Sequence, residues 1–396
     1  MTIGGSSAEA ELGTLGLWQK KAPPITVYER QQRLERARAL TEQSGAEALL
    51  VNAGASLRYF TGVTWGATER LVAMLLPVRG EPVIVCPHFE LGSLEAELAI
   101  DADLRLWQED ENPHALVADA ARGLGAKAIA VDPALSFQMA ERLRRAAPGI
   151  ALVDGAPVID GCRMRKSSAE IALMQQAKSM TLEVHRRAAR ILSPGITTTK
   201  VKRFIDAAHR ALGAAGSSFC IVQFGRATAF PHGLPGDQKL AEGDLVLIDT
   251  GCTVEGYHSD ITRTYAFGAA SDEARTIWDL EKEAQAAAFT AAMPGASCES
   301  VDEAARAVLF KGGLGPDYRL PGLPHRTGHG IGLSIHEPAY LVRGDRTPLD
   351  SGMCFSNEPM IVVPDRFGIR LEDHFYMTET GPRWFTPPQP AIDRLV

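Results

Sequence analysis

The chain has 396 residues, 45% of them hydrophobic and 22% charged, with a formal net charge of −7 at pH 7. That length fits two domains with sizeable cores, and the modest charge, not gathered into any run, argues against nucleic acid or membrane-surface binding. No apolar stretch approaches 18 residues and Met1–Trp18 lacks a basic and then apolar leader, so a membrane span and secretion are not expected. The six cysteines are widely spread with no CxxC pair, which reads as reduced thiols in a cytoplasmic protein.

In chain order, residues 28–44 read as a helix, followed by a strand at Ala46–Val51 and a further strand candidate at Arg58–Gly62. Leu71–Pro77, Pro82–Cys86 and Ala128–Asp132 are strand candidates, with a helix over Ala115–Gly123. This alternation predicts an α/β domain over residues 1–160. The boundary falls near Asp160–Lys166, where Ser167-Ser168-Ala169-Glu170 forms a capping box opening a helix to about Leu192. Pro194-Gly195 ends it, and Thr198 caps a second helix to about Gly213. Asp272–Ala292 and Ser300–Phe310 are two more helices, and the strands between them carry the residues of chemical interest. The second domain is thus 161–396, of α+β type.

Five residues in the last third stand out: Asp249, Asp260, His329, Glu358 and Glu372. Asp249 ends the apolar run Leu245–Ile248, and Asp260 follows eleven residues later, beyond Gly251 and Gly256. Two strands and a glycine turn would bring both carboxylates together. His329 sits in Gly328-His329-Gly330-Ile331-Gly332, where glycines permit close backbone approach. Four carboxylates around one point repel by about 4 kcal/mol per close pair at an effective dielectric of about 20. Two divalent cations would neutralise them and activate a shared water. Oxygen-rich ligation with one imidazole suits manganese, placed first, with zinc or cobalt as alternatives.

The segments LIDTG, SDITRT, GHGIGLSIHE, NEP and RLED resemble those of the pita-bread metallopeptidases, the family of prolidase, aminopeptidase P, methionine aminopeptidase and creatinase. The match spans roughly residues 160–385, and the N-terminal part resembles the extra domain of creatinase, prolidase and aminopeptidase P. The resemblance implies that Asp249 and Asp260 bind one metal, that Asp260 and Glu372 bridge to a second, and that His329 and Glu358 complete the ligands of that second metal. It also makes Glu358 a proton shuttle, and His336 and His232 donors toward a tetrahedral intermediate. It makes Arg370, two residues before Glu372, a supporting arginine able to orient that carboxylate. His258 and His374, equally close in sequence to ligands, read as polar neighbours. Many prolidases and aminopeptidases P carry a tyrosine where this chain has Val362, so that hydroxyl is missing.

The activity this implies is hydrolysis of the Xaa-Pro bond in dipeptides. Aminopeptidase P, acting on longer peptides, is the alternative, and a non-catalytic binding module of the same fold ranks last. Arg343 and Arg346 are candidates for a cation facing the proline carboxylate, though each alone reads as a solvated loop residue. A small peptide is the expected partner. Relatives are commonly homodimers whose partner domain walls the pocket, and Trp65 is a candidate for that wall.

Overall fold

The computed structural model describes residues 3–395. Two compact units make up the chain: Ile25–Arg163, and a second in which the stretch up to Pro24 joins Met164–Val396. The sequence division at 160 left the first 24 residues with the wrong neighbour, because nothing in their polar text announces what they pack on. Gly4 and Ser6 donate backbone hydrogen bonds to Ala189 and Arg190, Trp18 donates to Leu212, and Glu11 pairs with Arg187 at 3.0 Å.

The unit Ile25–Arg163 is built on a six-stranded mixed sheet. Its strand order is Asp103–Trp107, Val83–Pro87, Ala73–Pro77, Ala48–Asn52, Ala128–Val131, Ala151–Asp154. Ala73–Pro77 is antiparallel to both its neighbours, and the remaining pairs are parallel. The central strands are buried along their whole length, as their largely apolar text requires. Val117, Ala118 and Ala121 of the helix Pro113–Gly123 fill one side of the core with Met139 and Leu143 of Phe137–Ala146. The strand expected at Arg58–Gly62 is instead the end of a helix, Ala55–Thr61, closed by Gly62 in the left-handed region at φ 90°. Its aromatic, β-branched text serves helix burial: Leu57, Tyr59, Phe60 and Thr61 are all buried. Local β-propensity yields to such packing.

The second unit carries two similar halves. The helix Ser168–Arg190, opened by the Ser167/Glu170 capping box, is followed through a Pro-Gly turn by Thr198–Ala211. Asp272–Ala291 is followed through another Pro-Gly turn by Cys298–Lys311. Each half's turn glycine anchors itself the same way, Gly195 N–H to Leu240 and Gly295 N–H to Leu349. The first helix pair packs on a three-stranded antiparallel sheet with Leu245–Gly251 between Ile261–Ala266 and Phe219–Phe224. The second packs on a five-stranded sheet ordered Glu337–Leu341, Gly328–Gly330, Cys354–Asn357, Asp373–Thr378, Gly381–Trp384, and on the hairpin Met360–Val363/Phe367–Arg370. A bridge between Thr262 and Glu372 joins the first sheet to the second. The candidate residues gather at that junction.

Candidate metal centre

Asp249 lies on the middle strand, facing Ile221 on one side and Thr262 on the other. After Gly251 the chain makes a small hairpin, Thr253-Val254 against Tyr257-His258, and returns with Asp260 at the mouth of the strand Ile261–Ala266. Gly251 is required there, since a Cβ would lie 2.0 Å from the Ser259 carbonyl oxygen. The Gly-containing turn read from sequence thus places both aspartates at one end of the sheet.

His329 stands in the short strand Gly328–Gly330, opposite Tyr340, just before a register shift after which Gly330 pairs with Glu337. Gly328 has the same need as Gly251: a Cβ would meet the Ser356 carbonyl oxygen at 2.1 Å. Ser356 ties this strand to the next, accepting the His329 backbone N–H at 2.9 Å and donating to Glu358 Oε1 at 3.0 Å. Glu358 begins just past Cys354–Asn357, its N–H bonded to Thr327. Glu372 sits between Phe367–Arg370 and Asp373–Thr378, its N–H bonded to Thr262.

The side chains converge. Ligand-type atoms of Asp260, His329 and Glu372 all lie within 4.8 Å of one another, and all three residues are buried. His329 Nε2 is 3.0 Å from Glu358 Oε1 and 3.8 Å from Asp260 Oδ2. Asp249 joins from the side, its Oδ2 held by Arg370 Nη2 at 2.5 Å. Two buried oxygens of the group, Asp249 Oδ1 and Glu372 Oε1, have no hydrogen-bond partner.

Burial pushes the Asp260 and Glu372 carboxyls well above the ordinary range; the neighbouring carboxylates Glu372 and Asp249 add to this for Asp260, as Glu358 and Asp249 do for Glu372. Burial also raises Asp249, against the pull of Arg370. Glu358 goes the other way: burial raises it, but the His329 hydrogen bond and the charges of His329, His325 and Arg370 together hold it well below the carboxylate range.

These residues fit a cation. The His329 ring places Nδ1 3.0 Å from the Gly330 carbonyl, which takes that N–H and turns Nε2 toward the carboxylates. Nε2 stands 3.0 Å from Glu358 Oε1 and 3.8 Å from Asp260 Oδ2, in a buried group of carboxylates two of whose oxygens lack a hydrogen-bond partner, and a cation there would offset the gathered negative charge. Carboxylate oxygens with one imidazole form a donor set suited to manganese, zinc or cobalt.

The outlying candidates divide. His336 brings its ring edge to His329, 4.3 Å between centroids, and burial with the neighbouring His329 holds it down to about 4, a neutral imidazole beside the cluster. His232 is exposed, near enough to His336 to act on its charge. Arg370 grips Asp249 rather than the Glu372 carboxylate it was expected to orient; Glu372 follows the end of its strand, so the two-residue alternation does not carry through. Its Nε donates to Thr262 Oγ1 at 3.1 Å, and that hydroxyl donates to Glu372 Oε2 at 2.6 Å. Val362 is core, paired with Gly368 and packed among Met360, Ile361 and Phe355. Arg343 is paired with Asp317 and Arg346 with Glu299. Trp65 donates to Glu97 at 3.2 Å. The His258 carbonyl accepts from the buried Lys178 ammonium at 3.0 Å.

Three contributors were not picked out from sequence. Thr262 and Ser356 act through single hydroxyls in β-rich text, which carries no signal for them. His325, four residues before His329, faces Glu358 and Arg370 electrostatically and sets its Nδ1 2.7 Å from the Arg326 carbonyl. Its spacing to His329 was the one clue available.

Residues 172–379 match the model of metallopeptidase family M24, and residues 33–165 that of the creatinase/prolidase N-terminal domain. The chain belongs to metallopeptidase family M24, and its catalytic unit has the pita-bread fold. It is 38% identical to a probable dipeptidase PepE of Mycobacterium tuberculosis over 90% of this chain and 93% of that one. It is 32% identical to an Xaa-Pro dipeptidase of Lactobacillus helveticus, covering 89% and 96% respectively. The solved prolidase of Thermococcus sibiricus superposes with a TM-score of 0.83 at 29% identity, over 90% of this chain and 97% of that one.

Proposed function

We propose that this protein hydrolyses the Xaa-Pro bond of dipeptides, using two divalent cations held by Asp249, Asp260, His329, Glu358 and Glu372. The observation that carries the reading is the buried convergence of His329 Nε2 with the carboxylates of Asp260, Glu358 and Glu372, with Asp249 Oδ1 and Glu372 Oε1 left without partners. Similarity to an Xaa-Pro dipeptidase and to a prolidase supports the substrate class. Manganese is proposed first, with zinc or cobalt as alternatives; bound there, the cations supply an activated water and Lewis-acid polarisation of the scissile carbonyl.

The chain's own groups do the rest. Glu358 Oε1 is engaged by His329 and Ser356, which leaves Oε2 to take a proton from the attacking water and deliver it to the proline nitrogen. His336, neutral and beside His329, donates to the oxygen that becomes negative, and exposed His232 reaches the same intermediate from the solvent side. Arg370 fixes Asp249 and, through Thr262, Glu372. Dimerisation and a cytoplasmic location belong to the same proposal, checked by light scattering and cell fractionation.

One observation favours aminopeptidase P activity as the second reading. Arg343 and Arg346 both sit on acidic partners, so neither is poised as an unpaired cation for a dipeptide's terminal carboxylate. Proline release from Ala-Pro and Leu-Pro, compared with cleavage of Xaa-Pro-Xaa tripeptides in the presence of manganese, decides between them. Faster dipeptide cleavage is expected; equal or faster tripeptide cleavage assigns the second reading instead.

A further inference from the structure

We infer that His374 is a positioning residue for Glu372, holding that carboxylate in place when a cation is bound; the inference rests on the metal-centre reading above. His374 is 0% exposed, yet neither ring nitrogen has a hydrogen-bond partner. A fully buried imidazole with two unmet polar atoms is rare. Its Nε2 is 3.8 Å from Glu372 Oε1, the very oxygen of Glu372 that is itself without a partner.

The surroundings show why the two belong together. Thr262 already takes Glu372 Oε2, so one oxygen of the carboxylate is fixed and the other is free to turn. The strand register sets His374 opposite Ser356, whose hydroxyl joins the His329 backbone to Glu358. Asp373 between them points away, to Arg263. His374 therefore lies on the same side of its strand as the cluster. A carboxylate oxygen has two lone pairs, so Oε1 can bind a cation with one and accept the His374 N–H with the other. Moving from 3.8 Å to a hydrogen bond of about 2.9 Å is a side-chain adjustment of roughly 1 Å.

The test is a cobalt titration of chelator-treated protein, followed by visible absorption, with wild type, His374→Leu and His374→Gln. The Leu variant should bind cobalt about 10- to 100-fold more weakly, the range seen when a supporting hydrogen bond to a ligand is lost. The Gln variant, whose amide N–H reaches the Nε2 position but which replaces an imidazole ligand poorly, should stay within about threefold of wild type in affinity and keep its absorption bands. Circular dichroism of the metal-free proteins checks that all three fold alike. Leu binding within twofold of wild type overturns this inference alone, and so does a Gln variant as weak as Leu. Wild-type protein that takes up no cobalt overturns the metal centre itself.

Discussion

The strands Ile261–Ala266 and Asp373–Thr378 carry buried charge on two faces, and the faces are finished differently. On one, Arg263 and Asp373 are both wholly buried and pair at 2.6 Å, with the guanidinium also bonded to the carbonyls of Thr262, Glu372 and Pro387. Thr386 and Gln285 take the remaining capacity of the Asp373 carboxylate. On the other, just before each strand begins, Asp260 and Glu372 crowd against Asp249 and Glu358, and among the described residues Arg370 is the one arginine or lysine paired directly with the group. The Arg263–Asp373 pair finds its counter-charge inside the chain. The charge gathered around Asp260 is left for something else to match.

That contrast can be broken by substitution. Asp260→Asn should abolish manganese uptake and lower Xaa-Pro hydrolysis by about a thousandfold or more, since several kcal/mol of electrostatic stabilisation goes with the cation. The same change should leave the metal-free protein as stable as wild type or more so, because it removes one of the mutually repelling carboxylates. Calorimetric melting in chelator is the measurement, and a clear loss of stability would place Asp260 with the structural charges. Asp373→Ala should do the reverse, costing about 3–5 kcal/mol of stability by stranding Arg263, read from denaturant unfolding. Arg370→Met should lie between the two, with about 10- to 100-fold lost from metal affinity and activity and a loss of stability smaller than that of Asp373→Ala, since the Asp249 carboxyl left behind can take up a proton.

pH sharpens the same contrast. The Asp260 and Glu372 carboxyls in metal-free protein sit well above their ordinary 3.8 and 4.5. Groups raised in the folded state bind more protons folded than unfolded, so their contribution is fully present below the ordinary values and is lost as pH rises through the folded ones. Metal-free protein should therefore lose stability as pH climbs from about 4 toward neutrality, and manganese should restore it. A melting profile in chelator that rises steadily over that interval contradicts the assignment.

Much of this was legible in the text of the chain. Types, order and flanking residues marked the five ligand candidates, because metal chemistry demands particular atoms and glycines where backbones nearly touch, as at Gly251 and Gly328. The long helices declared themselves through caps such as Ser167/Glu170. Pairwise partnerships stayed hidden. That Arg370 grips Asp249 depends on where two distant strands meet, and no spacing encodes it. Arg58–Gly62 carries strand-like residues yet folds as a helix, since tertiary burial outweighs local preference. His374 looked like a bystander in sequence, and only its isolation in the fold gives it a role.

The most direct test counts metal against turnover. Chelator-treated protein is titrated with manganese while bound ions per chain and Leu-Pro hydrolysis are followed together. Saturable uptake of two ions per chain, with hydrolysis rising in step from zero, is expected. Full hydrolysis by protein holding no more than about one metal ion per hundred chains would contradict the account.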